Sequence, residues 1–479
     1  MNFVERYGLW SDEQWIAAES LASRVAGEGI EVVRVSFADQ HGILHGKTLS
    51  ANEFCATMRE GSPIVSTLLS KDTSGRPVFS AFIKDAGIGE AEMAGAADMV
   101  MVPDPTTFQV LPWAESTGWV LSDLHFTNGR TVPFCTRGLL RGIVKQTKLA
   151  GYELLCGLEV EFHLFRVVDP NMRLSDTGQP GSPPTVSALN HGYQHLSEQR
   201  FDEADTILAL IRRSLLQVGI AIRTIEVEYG PSQIEVTLQP HTALETADAM
   251  ILLRSTVKQV AQRHGYHATF MCRPQIPHVF SSGWHLHQSL LSTKGEKENV
   301  LTSPEPNDVL SQVGLQYLGG LLEHARGAAV FAVPTINGFK RFQPYRMAPD
   351  RVLWGQDNRG ALIRVISSTE TNSTRLENRI GEPAANPYLY IASQLVSGLD
   401  GIRRNLDPGS SSDQPYDTPA PLLPTSLREA LDALEYDSNL RVGMGEQFVD
   451  YFIAIKRAEV HRFEEAVTDW EQREYFSLF

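Results

Sequence analysis

The sequence predicts an α+β fold in two units, residues 1–128 and 129–479. Three observations carry this reading. The N-terminal part holds period-two stretches joined by a turn. The remainder alternates helical and strand periodicities. Four of its strand-like segments put ionisable residues on one face only.

Residues 31–37 (EVVRVSF) alternate apolar and polar positions and read as a strand. Residues 39–42 (DQHG) are its turn and 43–49 the return strand, which makes a hairpin. An apolar run opens 98–111 and is broken at Pro103-Asp104-Pro105, with β-type residues after it. The apolar residues of 119–126 predict one more strand, and the boundary falls at Asn128-Gly129. Beyond it, 137–150 carries Leu139, Leu140, Ile143, Val144 and Thr147 on one helical face and stops at Gly151. The pattern recurs over 205–218 before Gly219 and over 244–264 before Gly265. Residues 169–184 and 407–424 are rich in proline, glycine and serine and read as loops. Residues 426–434 and 447–465 read as closing helices.

Composition excludes several classes. At 479 residues the chain can bury large cores without disulfide staples. Cys55, Cys135, Cys156 and Cys272 lie far apart with no CxxC pair, which argues against a zinc or disulfide framework. That usage fits a reducing, cytoplasmic compartment. The N-terminus MNFVERYGLW lacks the basic and apolar regions of a signal peptide. No apolar run approaches the roughly 18 residues of a membrane span. A net charge of -15 repels phosphate backbones, so nucleic acid is not an expected partner.

The four charged segments carry the chemistry. In LEVEFHLF, Glu159, Glu161 and His163 share one face and Leu158, Val160, Phe162 and Leu164 the other. In EVEYGPSQIE, Glu228 and Glu235 flank a Gly-Pro turn. His285, His287 and Ser289 align in WHLHQSL, as do Arg375, Glu377 and Arg379 in RLENR. Any one of these alone is more often a solvated surface strand. Together they hold Glu, His and Arg with hardly a Lys, and they come from separate parts of the chain. They therefore need a closed sheet with a charged interior, where carboxylates are costly unless paired or bound to metal. Five glutamates and a histidine suit two hard cations, Mg²⁺ or Mn²⁺. Arg359 and Arg364 in NRGALIR, with Arg341, Arg375 and Arg379, suit an anionic substrate, phosphorylated or not. No GxxxxGK[ST] and no GxGxxG occurs, so a nucleotide would not sit on a P-loop or a Rossmann turn.

In order along the chain, FADQHGILHGKTL, ADMVMVPDPTTFQVLPW, GLEVEF, EYGPSQIE, ATFMCRP, SSGWHLHQSL, NGFKRF, DNRGALIR and RLENRIGEPAANPY resemble the glutamine synthetase family over almost the whole chain. The resemblance implies a small N-terminal β-grasp domain and a large catalytic domain, whose antiparallel sheet forms a funnel with helices outside. It implies ATP as co-substrate, glutamate as acid substrate, two or more Mg²⁺ or Mn²⁺ ions per site, and a homo-oligomer of two hexameric rings. By the same resemblance Glu161, Glu228 and Glu235 hold the metal nearer glutamate. Glu159, His285 and Glu377 hold the metal on the ATP phosphates. Arg341 and Arg379, with Glu161, bind glutamate. Arg359 and Arg364 act on the transferred phosphate, and His287, Ser289, Arg364 and Arg375 face the nucleotide.

One departure bears on the amine. Family members that use ammonia carry an acidic flap, roughly KR-x-x-P-x-x-E-A-P, where this chain reads KRFQPYRMAP. Arg346 and Met347 occupy the flap, with Met347 at the place of the Glu. Methionine can neither attract ammonium nor accept a proton. The segment 65–70 (VSTLLS) likewise lacks the second ammonium-side acid. The expected substrate is therefore an organic amine, aryl or alkyl, with Arg346, Met347 and Trp284 as its pocket. Ammonia ligation and a non-catalytic, structural role are the competing readings; the six intact metal-ligand positions weigh against the latter. Tyr416 stands near a tyrosine that bacterial relatives modify, and its context favours an ordinary exposed loop residue.

Overall fold

The computed structural model describes residues 1–305, 308–368 and 373–479. The chain is α+β, and its strands fall into two sheets. The first holds β1 (Val32–Ala38), β2 (Leu44–Ser50), β3 (Ser62–Val65), β4 (Asp98–Pro103), β5 (Gln109–Val110) and β6 (Thr117–His125). The expected hairpin is present: β1 and β2 pair antiparallel from Val32 opposite Ser50 to Ala38 opposite Leu44. The turn is fixed by the Asp39 carboxylate, which accepts from the backbone N–H groups of His41 and Ile43. β1 also runs parallel to β6, so the sheet is mixed.

The second sheet holds β7 (Tyr152–Val167), β8 (Val186–Ser187), β9 (Ile222–Val227), β10 (Gln233–Leu238), β11 (His241–Thr242), β12 (Tyr266–Thr269), β13 (Trp284–Ser292), β14 (Trp354–Gln356), β15 (Ile363–Ile366) and β16 (Arg375–Asn378). Its main path is β14-β15-β16-β13-β7-β10-β9, antiparallel except for the β14–β15 pair. The apolar residues of β7 (Leu158, Val160, Phe162 and Leu164) are fully buried against the helices outside, which leaves the opposite face for charge.

The predicted helices appear over Thr136–Leu149, Glu198–Gln217, Ala243–Arg263, Leu427–Tyr436 and Glu446–Glu464. The second starts earlier than its periodicity suggested, because Ser197 caps it by accepting from the Arg200 N–H. Helices at Asp12–Gly27, Gln312–Glu323 and Pro387–Arg404 are additional to the sequence reading. Helix Pro387–Arg404 is buried over nearly its whole length, polar Ser393, Gln394 and Asp400 included. It approaches helix Gln312–Glu323 so closely that a Cβ at Gly401 would sit 2.1 Å from the Gln316 carbonyl oxygen.

Buried Arg137 links the first sheet to a helix that packs on the second. Its guanidinium reaches Asp104 just after β4, Asp123 of β6 and Asp248 of helix Ala243–Arg263, at 2.8, 3.2 and 2.8 Å. Among the described residues, no helix is long and apolar enough to cross a membrane.

Candidate active site

The charged faces of the large sheet line one cavity of about 920 Å³. Strand register stacks the ionisable residues in a row across it. Glu235 of β10 lies opposite Glu161 of β7. Glu159 of β7 lies opposite His285 of β13, and His287 of β13 opposite Glu377 of β16. Glu377 in turn lies opposite Arg364 of β15. Directly opposed side chains are near enough to interact, so residues far apart in sequence share one polar surface.

Glu159 is the hub of this row. Its two oxygens lie 2.6 Å from His285 Nδ1 and 3.1 Å from His287 Nε2. Among the described residues, two trios offer ligand atoms within 4.8 Å of one another: Glu159, His287 and Glu377, and Glu159, Glu235 and His285. The chemistry of this donor set, carboxylate oxygen and imidazole nitrogen without thiolate, fits a hard divalent cation. The grouping differs from the one the resemblance implies. His287 joins a trio, whereas Glu161 and Glu228 belong to neither; Glu161 instead accepts from Gln233 Nε2 at 2.7 Å.

Electrostatics point the same way. Burial, then repulsion from Glu228, raises the Glu161 carboxyl above its ordinary range. Burial also raises Glu228, and it raises Glu235, where Glu159, Glu161 and Glu228 add repulsion. Glu159 goes the other way: burial opposes ionisation, but the hydrogen bonds of His285 and His287 hold it down. Burial, with Arg379 nearby, depresses His285 to about 4, so the imidazole is neutral and able to ligate. Buried, crowded carboxylates favour their protonated forms, and a bound cation would favour the charged forms instead.

Arginines close the row. Arg341 donates to the Arg379 carbonyl oxygen at 2.9 Å and to His285 Nε2 at 3.2 Å. Arg379 is ion-paired with Glu377 and donates to the Arg359 carbonyl oxygen at 2.9 Å. Arg364 reaches Glu377 at 2.9 Å and Asp357 at 2.5 Å. Arg375 Nε lies 3.4 Å from His287 Nδ1, while Ser289 donates to the Thr374 carbonyl oxygen at 2.9 Å. Arg341 and His285 can meet only because residue 283 is glycine. A Cβ there would stand 2.7 Å from Arg341 Nη2 and 3.0 Å from His285 Nε2. Gly283→Ala is expected to cost about 1–3 kcal/mol by overpacking, measured as a lower melting temperature, because Arg341 is itself buried and has little room to yield.

Of the residues expected at the site, all but Glu377 and Trp284 line the cavity. Glu377 lies beneath the lining, fully buried under Arg364 and Arg379. Trp284 is a correction: it is fully buried on the opposite face of β13, edge-on to Tyr390 at 5.0 Å, and cannot touch an amine. Period-two alternation separates Trp284 from His285, so the sequence already held that answer. His163 is also buried away from the cavity, beside Ser282 and stacked on Phe165. Tyr416 is not a free loop residue; it is half-buried and donates to the Ala348 carbonyl oxygen at 3.0 Å. The sequence reading missed Tyr193, His195, Tyr229 and Phe280, which also line the cavity. Tyr193, His195 and Phe280 sit in loops, where no periodicity marks them, although Tyr229 adjoins Glu228.

Comparison with known proteins agrees with this geometry. The family model described as "Glutamine synthetase, catalytic domain" matches residues 133–475. The chain is 44 % identical over 498 aligned positions to γ-glutamylanilide synthase of Acinetobacter sp, covering all of this chain and 99 % of that protein. It is 30 % identical to glutamate–isopropylamine ligase of Pseudomonas sp, covering 94 % and 95 %. The solved structure of a GmaS–ADP complex superposes with a TM-score of 0.79 at 29 % identity, covering 95 % of this chain and 99 % of that one. The chain is thus a ligase and belongs to the glutamine synthetase family.

Proposed function

We propose that this ligase joins the γ-carboxyl of glutamate to an organic amine, aromatic in the first place, at the expense of ATP. The observation that carries the reading is the flap. Met347 and Arg346 line the cavity that holds the carboxylate–imidazole trios; by the family resemblance, Met347 stands where ammonia-using relatives carry an acid. The similarity to an anilide synthase over the full chain supports it, and so does the likeness to a structure that holds ADP.

The chemistry proceeds in two steps. A γ-carboxylate oxygen of glutamate attacks the terminal phosphorus of ATP; the bond to ADP breaks and γ-glutamyl phosphate forms. The amine nitrogen then attacks the acyl carbon, the carbon–oxygen bond to phosphate breaks, and the amine's proton ends on the departing phosphate or on water. Arg341 and Arg379 bind the glutamate carboxylates. Arg359 and Arg364 stabilise the charge of the phosphoryl group in transfer. His287, Ser289 and Arg375 face the nucleotide. Glu159, Glu161, Glu228, Glu235, His285 and Glu377 would together hold Mg²⁺ or Mn²⁺, with Glu235 and His285 clustered on Glu159 and with His287 beside Glu159 and Glu377; bound ions would supply positive charge against the phosphates. The neutral His285 and the protons held on Glu161 and Glu235 keep this charge balanced until then.

The reading extends to the whole protein: an N-terminal domain of residues 1–128, a cytoplasmic location, and an assembly of two hexameric rings. The test of function is phosphate release from ATP with glutamate, Mg²⁺ and each of aniline, ethylamine, putrescine and ammonium. Turnover mainly with an organic amine is expected. Best turnover with ammonium would overturn the flap argument, and no turnover with any amine would overturn the ligation itself.

A further inference from the structure

The cavity wall contains a column of three rings that the chemistry above does not use. His195 stacks on Tyr229 with centroids 4.7 Å apart and planes within 14°. Tyr229 stacks on Phe280 at 5.4 Å and 30°. The rings come from the loop before helix Glu198–Gln217, the β9–β10 turn and the segment before β13.

The column is anchored at one end of the charged row. His195 Nε2 lies 3.4 Å from Glu228 Oε1, and the Tyr229 backbone N–H donates to Glu228 Oε2 at 3.1 Å. Phe280 enters the wall just before Gly283 and His285, the point where Arg341 crosses the strand. Ser289 and Arg375 lie toward the other end of β13, where Ser289 meets Thr374. Each strand residue advances about 3.3 Å, so the rings stand on the acid-substrate side, well away from the nucleotide side.

From this placement we infer that His195, Tyr229 and Phe280 form the subsite for the amine's aromatic ring and set the preference for aryl over alkyl amines. The inference rests on the proposed amine ligation and supplies its specificity element. A column of near-parallel rings is extended by another flat ring, which adds stacking and buried apolar area. Ammonium brings neither, and a short alkylamine brings little area and no face. Met347 on the same cavity adds a soft, polarisable apolar contact suited to aromatic edges. Trp284, assigned to this task from sequence, is replaced by rings that actually reach the cavity.

The test compares Tyr229→Leu and Phe280→Leu with the unaltered enzyme, using aniline, cyclohexylamine and ethylamine at saturating glutamate and ATP. Each variant keeps apolar volume but loses a ring. The expected result is a rise of about tenfold in the KM for aniline, a smaller rise for cyclohexylamine, and an ethylamine KM within about twofold. Phe280→Tyr, which restores a ring, should recover aniline binding. A parallel loss for aniline and ethylamine would mean that the rings only pack the loop, and would overturn the inference. So would an unchanged aniline KM. If the unaltered enzyme uses ethylamine but not aniline, this inference falls while amine ligation stands; if it uses no amine, ligation itself falls.

Discussion

Glu235→Gln is expected to lower ligation by about two orders of magnitude or more, while making the metal-free protein more resistant to alkaline unfolding. Both effects come from one carboxyl group. Glu235 completes a trio with Glu159 and His285, so the amide leaves an ion with one charged ligand fewer. In the metal-free protein the same carboxyl is a liability. Burial, then Glu159, Glu161 and Glu228, raises it above its ordinary value of 4.5. The unfolded chain gives up this proton near that ordinary value, but the folded chain retains it. The folded state therefore binds more protons, and stability falls as pH rises through this window. An amide neither gains nor loses a proton. The wild-type melting temperature without metal should thus fall more steeply than that of Glu235→Gln between about pH 5 and about pH 9. Saturating Mg²⁺ should abolish the difference, because the ion favours the charged form. Equal slopes without metal would remove the case for a proton held at Glu235. Unimpaired turnover would remove it from the ion site.

Met347→Glu should move the preference toward ammonium, raising the ratio of kcat/KM for ammonium to that for aniline by about tenfold to a hundredfold. Met347 is half-exposed on the cavity and adopts a backbone φ of +57°, so its side chain is presented by a tight turn rather than by a strand. A carboxylate there would attract an ammonium cation and take up its proton before attack. It would also force an aromatic amine to share its pocket with a charge that needs water. Arg346 lines the same cavity and would temper the new charge, so Arg346→Ala combined with Met347→Glu should shift the ratio further. An unchanged ratio in both variants would show that the flap does not choose the amine.

Much of this site was legible in the sequence because strand geometry has an integral period. Alternation alone placed Glu159 with Glu161 and His163, His285 with His287, and Arg375 with Glu377 and Arg379, and the structure puts all of them except His163 in or just beneath one cavity. It would also have excluded Trp284 had it been applied to that residue. The β1–β2 hairpin was legible for a similar reason: a turn sequence lies between two alternating stretches. Helix Pro387–Arg404 went unread although it has an apolar and a polar side; burial of its polar residues Ser393, Gln394 and Asp400 is decided by packing against neighbouring helices and not by local pattern.

What the sequence by itself determined, then, is which residues share a face: an apolar and a charged surface on each of the four strand-like segments. Only the tertiary structure decided which faces meet. The registers that bring Glu235 to Glu161, Glu159 to His285 and His287 to Glu377 join strands from distant parts of the chain. They are set by packing of the opposite, apolar faces against the helices, so nothing local encodes them. The same packing brings His195, Tyr229 and Phe280 into one column from three separate turns. Ring stacking follows from position in space, and loop residues carry no period from which that position could be read.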